Sequence, residues 1–544
     1  MQAARTVSTR RRARSAAGSG SGVALIRRCP AFAVLVCVLV IAGCGGDGDA
    51  GQGKSGGTLR IAGASEFAGQ DPHDYTGDFI LVDMVYEPLV RYGKDGVLEP
   101  ALAKAWRVSD DGLQVTFDLR EGVTFHDGTP FDAKAAKWNF DRWVGKERHD
   151  FFATSTVIDK VEATDPRTLT LTLKEPYEPL LQELTFARPV RFLSPASAGS
   201  DGAFKKPVGT GPWRLRSSSR TAATLVRNAG YWGRKPGPER VEFKVLKDSQ
   251  TRVSALRSGE VDMIGGSYNS PITPTEATEL KGAAGVTLLQ GRPDVTVLVG
   301  FNAKGVAGDR AVREAVRLAL DRTALTRVLF SGLATPATTL FAPGVPDGGT
   351  AQEMRFDPGE ARRLLDRAGW GERDGTRTKG GRPLRLSLLI SSSPVHGQQD
   401  ARLSAEALAD SLAKVGVDVR IKPVDEAAYF DERTAGRYDL AFFETYGAPY
   451  DPSGFVVGFL TTKGGGMLWR SPAIDRLVDE ALFARDDGAR AQAYQRVYDV
   501  LDRDAAFVPI AYRPRLWAVR SNVKGFVVPD TEYELDLSRV TLGG

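Results

Sequence analysis

The chain is poor in the residues that make crosslinks and metal centres. Its three cysteines, Cys29, Cys37 and Cys44, all lie within the first 44 positions. Beyond them no internal disulfide and no cysteine-ligated zinc site can form. There are four histidines, His73, His126, His149 and His396, and no two have zinc-site spacing. Long apolar runs are missing as well. The stretch 31–42 spans 12 residues, short of the roughly 20 needed to cross a bilayer. The net excess of positive charge is confined to the start: residues 1–43 hold seven arginines and no acid, and without them the formal charge of +5 becomes −2. A near-neutral chain with no basic run excludes a nucleic-acid partner. Without a catalytic cysteine or a zinc-binding histidine pair, an enzyme is not expected, and a secreted hydrolase stays as the remote alternative.

The N-terminal pattern is informative. Arg27 and Arg28 precede the apolar stretch, and the small residues Ala42 and Gly43 precede Cys44. A basic n-region, a short apolar h-region and small residues before a cut form an export signal. Ile41-Ala42-Gly43-Cys44 resembles a lipobox, which implies that Cys44 is lipidated and becomes the first residue of a protein held on the outer face of the cell membrane. Residues 1–43 are then the signal, and the Gly-rich polar segment 44–56 is a flexible tether.

Strand and helix signals alternate over the rest, which exceeds what one core usually supports and points to an α/β protein of two or more lobes. Residues 58–62 read as a strand. Leu113, Val115, Phe117 and Leu119 alternate with polar residues, and 169–173 repeats the pattern up to Pro176. Asp357, Pro358 and Glu360 suit the N-cap, N1 and N3 positions of a helix that Gly369 ends. Val312, Ala315, Val316, Ala319 and Leu320 form a second helical stripe.

Several ordered motifs go further: Val85-Tyr-Glu-Pro-Leu-Val90, 98–106, 111–133 around His126-Asp-Gly-Thr-Pro130, Pro207-Val-Gly-Thr-Gly-Pro-Trp213, Arg227-Asn-Ala-Gly-Tyr-Trp232, Leu256-Arg-Ser-Gly-Glu-Val-Asp262, Phe301-Asn302 and 357–370. From about Gly57 onward the chain resembles the peptide/nickel-type (family 5) extracellular solute-binding proteins of ABC importers. Segments 181–192, 339–346 and Thr445-Tyr-Gly-Ala-Pro-Tyr-Asp-Pro452 are most similar to the nickel-binding branch. The resemblance implies a two-lobed periplasmic-binding-protein-like fold (type II, cluster C) with the ligand in the inter-lobe cleft. It divides the chain into lobe I with an extra subdomain (57–293), lobe II (294–507) and a C-terminal segment returning to lobe I (508–544). The expected partners are the importer's permease and ATPase subunits, and the expected state is a monomer.

The nickel branch implies a metal chelate as ligand, nickel or another metal, with no cofactor of the protein's own. Carboxylate-rich chelators call for fixed cations, and arginine offers a planar fork. By resemblance Arg188 and Arg148 are the cleft arginines, and Tyr75, Phe151, Tyr446 and Tyr450 are the aromatic walls. No histidine follows His396 where the branch supplies one to the metal, so a direct protein ligand is not expected. The alternative cargo is a di- or oligopeptide, for which Asp451 or Glu444 would take the amine.

Overall fold

A computed structural model of the chain describes residues 56–543 except 75–77, 94–95, 151, 267–269, 351–353, 393–400, 446–451, 485 and 532. The expected signal, lipidation site at Cys44 and most of the tether therefore lie outside the described residues, as do Tyr75, Phe151, Tyr446 and Tyr450. No helix among the described residues is long and apolar enough to cross a membrane.

One large mixed sheet of 11 strands organises the protein. At one end Thr58–Gly63 lies parallel to both Arg240–Val245 and Met263–Gly265. At the other end Arg385–Ser391 lies parallel to Asp418–Val424 and Leu440–Glu444. Two long strands, Val286–Phe301 and Phe507–Arg520, pair antiparallel between these ends and carry the chain from one to the other and back. Each end is a small α/β lobe, as expected. The expected lobe limits, 293/294 and 507/508, both fall within these two long strands.

The pairing of the long strands is irregular midway. Register shifts flank Pro293, which faces Pro514 across the ladder. Neither proline has an N–H, so the ladder loses donors on both sides at one point.

The first lobe is covered on both faces. Leu59, Ile61 and Trp213 pack under the helix Phe79–Val85, whereas Ala62 and Ala518 pack against Val253, Leu256 and Leu280 of two helices opposite. A four-stranded antiparallel sheet forms the extra subdomain, comprising Ala103–Val108, Gln114–Leu119, Thr168–Leu173 and Ile158–Asp165. Its strands show the alternation read from sequence: Leu169, Leu171 and Leu173 are buried and the threonines between them half-buried.

The helices also follow their signals. Arg310–Ala319 buries Val312, Ala315, Val316 and Ala319, and the Asp309 carboxylate accepts the Ala311 N–H at 3.0 Å. Asp357 caps Pro358–Arg367 by accepting the Glu360 N–H at 2.8 Å. Glu360 itself takes Arg363 and Arg367 rather than closing a capping box back onto Asp357.

Most of the motifs that carry the family likeness form scaffold. The Glu87 carboxylate is buried and accepts from Tyr231 Oη (2.7 Å) and Trp232 Nε1 (2.9 Å). His126 Nε2 lies 2.9 Å from Gly211 O, and Asn228 Nδ2 donates to the same oxygen at 3.1 Å. A Cβ on Gly209 would fall on Val85 O, so this close approach admits only glycine. Gly259, at φ +82°, ends the helix Ser249–Ser258 in the left-handed region. Asp262, three residues on, receives a two-pronged contact from Arg60 (3.0 and 2.9 Å).

Candidate functional site

Arg188 and Arg191 leave the segment that follows the short helix Leu180–Glu183 and diverge to different tasks. Arg191 is buried at 2% exposure. Its Nη1 donates to the carbonyls of Thr185 (2.9 Å) and Phe186 (2.8 Å), and its Nη2 to Asp83 Oδ1 (3.1 Å). These bonds close the loop on itself and tie it to the helix Phe79–Val85. Arg188, joined to Pro189 by a cis peptide bond, is half-buried, and its guanidinium lies over the Phe79 ring with Cζ 3.6 Å from the centroid. Arg188 therefore reaches one end of the first-lobe helix while Arg191 anchors to the other.

Asp78 caps that helix by accepting the Leu81 N–H at 3.0 Å. Burial raises its carboxyl above the usual range, and the Arg188 charge pulls in the opposite direction. Burial likewise raises Asp83 against the pull of Arg191, and the Leu535 N–H donates to Asp83 at 3.2 Å. Beside it, Glu534 is pushed up to about 7 by burial and by the Asp83 charge. The C-terminal segment thus lies against the same helix.

Arg148, in the short turn Glu147–His149, is exposed and donates through Nε to His149 Nε2 at 2.9 Å. Burial, then the Arg148 charge, lowers the His149 imidazole to about 4. His73 is buried and engaged on both nitrogens. Its Nε2 lies 2.9 Å from the Arg191 carbonyl oxygen, and its Nδ1 accepts from Arg142 Nε at 2.8 Å. These partners assign the proton to Nε2. Arg142 also donates to Asp71 at 2.9 Å.

Of the six side chains expected to line the cleft, two are described. Arg188 and Arg148 both belong to the first half of the chain, Arg148 beside the buried His149 and Arg188 against the half-buried Phe79. Glu444, the alternative acid for a peptide amine, is paired with Arg513 at 3.1 and 2.9 Å, and Asp451 lies outside the described residues. Among the described residues no cluster of three or more His, Cys, Asp or Glu side chains could hold a metal ion. Sequence reasoning missed Phe79, Asp83 and Arg191, and also Tyr533, whose ring stacks on Phe79 with centroids 4.2 Å apart. The one available signal was the three-residue spacing of the two arginines in Ala187-Arg-Pro-Val-Arg191.

Comparison with known proteins agrees with this architecture. The chain is 35% identical over 460 residues to the nickel-binding periplasmic protein of Escherichia coli K12, covering 81% of this chain and 86% of that one. The crystal structure of NikA from Brucella suis in complex with Fe(III)-EDTA superposes with a TM-score of 0.84 at 31% identity, covering 89% of this chain and 99% of that one. An ABC transporter substrate-binding protein from Sinorhizobium meliloti is 40% identical with a TM-score of 0.75, covering 90% and 100%. Residues 97–467 match the family described as bacterial extracellular solute-binding proteins, family 5. The chain belongs to that family and is a solute-binding protein of the ABC-importer type.

Proposed function

We propose that this chain is a lipid-anchored receptor, tethered through Cys44 outside the cell membrane, that captures a nickel or other metal chelate for an ABC importer. The supporting observation is Arg188: a half-buried arginine whose guanidinium lies over the Phe79 ring of the first-lobe helix, in a chain similar to a nickel-binding protein and to one whose structure holds Fe(III)-EDTA. A fixed, planar, permanently charged fork suits the carboxylates of a chelator.

The described histidines fit a cargo that brings its own metal ligands, because His73 and His149 are buried, His126 is half-buried, and all three are hydrogen-bonded within the scaffold. Arg148 supplies a second cation, and Tyr75, Phe151, Tyr446 and Tyr450 remain the proposed aromatic walls. Capture proceeds by hinge bending of the long strand pair where Pro293 faces Pro514, with lobe I at 57–293, lobe II at 294–507 and the segment 508–544 returning to lobe I. Ligand contact with both lobes stabilises the closed form, which a monomeric receptor presents to the permease. The alternative cargo, a di- or oligopeptide, is less favoured because the Glu444 carboxylate is already matched by Arg513.

The test is elemental and native mass spectrometry of the protein purified from its own membrane, together with calorimetry against Fe(III)-EDTA, Ni(II)-bis(L-histidine) and dialanine. A bound metal complex and saturable chelate binding are expected. Recovery of a peptide, with no chelate binding, would transfer the assignment to peptide uptake.

A further inference from the structure

Three segments remote in sequence meet at Arg188 in two parallel rungs. In the first, Arg188 lies over Phe79, and Phe79 stacks on Tyr533 with ring centroids 4.2 Å apart and planes 28° from parallel. In the second, Arg191 donates to Asp83, and the Leu535 N–H donates to the other Asp83 oxygen. Phe79 and Asp83 are one helical turn apart and so share a face. Arg188 and Arg191 are three residues apart on one side of that face, and positions 533 and 535 are two apart on the other. The second rung joins the buried Arg191 to the half-buried Asp83 through charge-assisted hydrogen bonds, and it sets the register in which the first is held.

The first rung has a geometric consequence. An aromatic ring against a guanidinium face fixes the plane of the cation and prevents a ligand from stacking on that face. Recognition is directed to the guanidinium edge, where paired N–H groups match a carboxylate. We infer that Phe79 and Tyr533 are positioning residues that set the plane of Arg188, making the site selective for carboxylate-bearing ligands. This inference rests on Arg188 being a ligand contact, as proposed above.

The experiment is a double-mutant cycle on the full mature chain, with Fe(III)-EDTA as probe and calorimetry as readout. Phe79→Leu keeps apolar bulk but removes the ring, and about tenfold weaker binding is expected, in the range of a desolvated cation–π contact. Phe79→Tyr and Tyr533→Phe keep the stack and should bind as the wild type does. In an Arg188→Ala background Phe79→Leu should cost nothing further. A merely structural role would weaken binding equally in both backgrounds and would overturn the inference, as would unchanged affinity in Phe79→Leu. The melting temperature of each variant identifies any loss that is only unfolding, and the two conservative variants keep the test decisive in that case. If the wild type binds neither Fe(III)-EDTA nor dialanine, the ligand assignment of Arg188 falls and this inference with it. If the wild type binds and Phe79→Leu is silent, this inference alone falls.

Discussion

Arg490 places its guanidinium 2.5 Å from Glu178 and 2.7 Å from Asp347. Glu178 follows the four-stranded subdomain sheet, whereas Arg490 lies on the helix Asp487–Arg503, more than half the chain away. Next to this pair, Tyr177 and Phe483 bring their rings to 5.7 Å. If the halves part about the long strand pair, this ion pair must break, so its strength bears on how closed the unliganded protein is. Glu178→Gln should lower the closed population by a few-fold, in line with roughly 0.5–1 kcal/mol for a partly exposed pair. No cysteine follows Cys44 in the sequence, so two spin labels introduced into residues 45–544 report a single distance distribution. Longer distances are expected for the variant without ligand, and an unchanged distribution would show that the pair does not restrain opening.

The two arginines of the site segment should fail in different ways. Arg188→Ala should weaken chelate binding by roughly 1.5–3 kcal/mol, the range for a hydrogen bond to a charged group, with little change in melting temperature. Arg191→Ala leaves the largely enclosed Asp83 (16% exposed) without its cation and two carbonyls without their donor. Breaking a buried pair costs about 3–5 kcal/mol, so the loss should appear in denaturant unfolding. Equal effects of both substitutions on both measurements would refute this division of labour.

The strands and helices were legible wherever one periodicity held over a whole element. The alternating leucines of Thr168–Leu173 and the stripe of Arg310–Ala319 lie where the sequence puts them. The motifs identified the family because they build its scaffold, as the Glu87 contacts with Tyr231 and Trp232 show. Contacts between remote segments carry no local signal. Nothing near Phe79 announces Tyr533, which arrives by the returning C-terminal segment, and nothing near Glu178 announces Arg490. Arg188 was reachable only through resemblance, since sequence does not separate it from Arg191, the more buried of the two.

Gly209 gives a sharp test of the scaffold. Its missing side chain lets the loop 207–213 approach the end of the helix Phe79–Val85, where Gly211 N donates to Val85 O at 3.0 Å and His126 N donates to Gly209 O at 2.8 Å. Gly209→Ala must push the backbone apart, because the new methyl meets a carbonyl rather than a movable side chain. A loss of about 1–3 kcal/mol is expected, as for overpacking of a tight interior. Circular-dichroism melts would show it, and a melting temperature equal to that of the wild type would mean that the loop is not seated as described.

Two buried histidines, His73 and His149, and the half-buried His126 should make the protein sensitive to acid. Burial, then the charge of Arg142, holds His73 well below its usual 6.5. Burial lowers His126 and His149 to about 4 each. In the unfolded chain each takes up a proton near pH 6.5, whereas in the folded chain none does until the pH is far lower. Between those limits the unfolded state binds more protons, so the stability present above about pH 6.5 falls as pH drops toward 4. Glu534 acts in the opposite direction. Burial and the Asp83 charge raise it to about 7, so its contribution is present below its ordinary 4.5 and is lost as pH rises to about 7. Three groups oppose one, so the urea midpoint should decline on acidification through this window. Glu534→Gln should steepen that decline by removing the compensating group. Carbon-13 labelling of histidine gives the direct measurement: at pH 5.5 the resonances of His73, His126 and His149 should still be those of neutral imidazole. A resonance among these three that titrates near 6.5 would place that ring in solvent rather than in the scaffold.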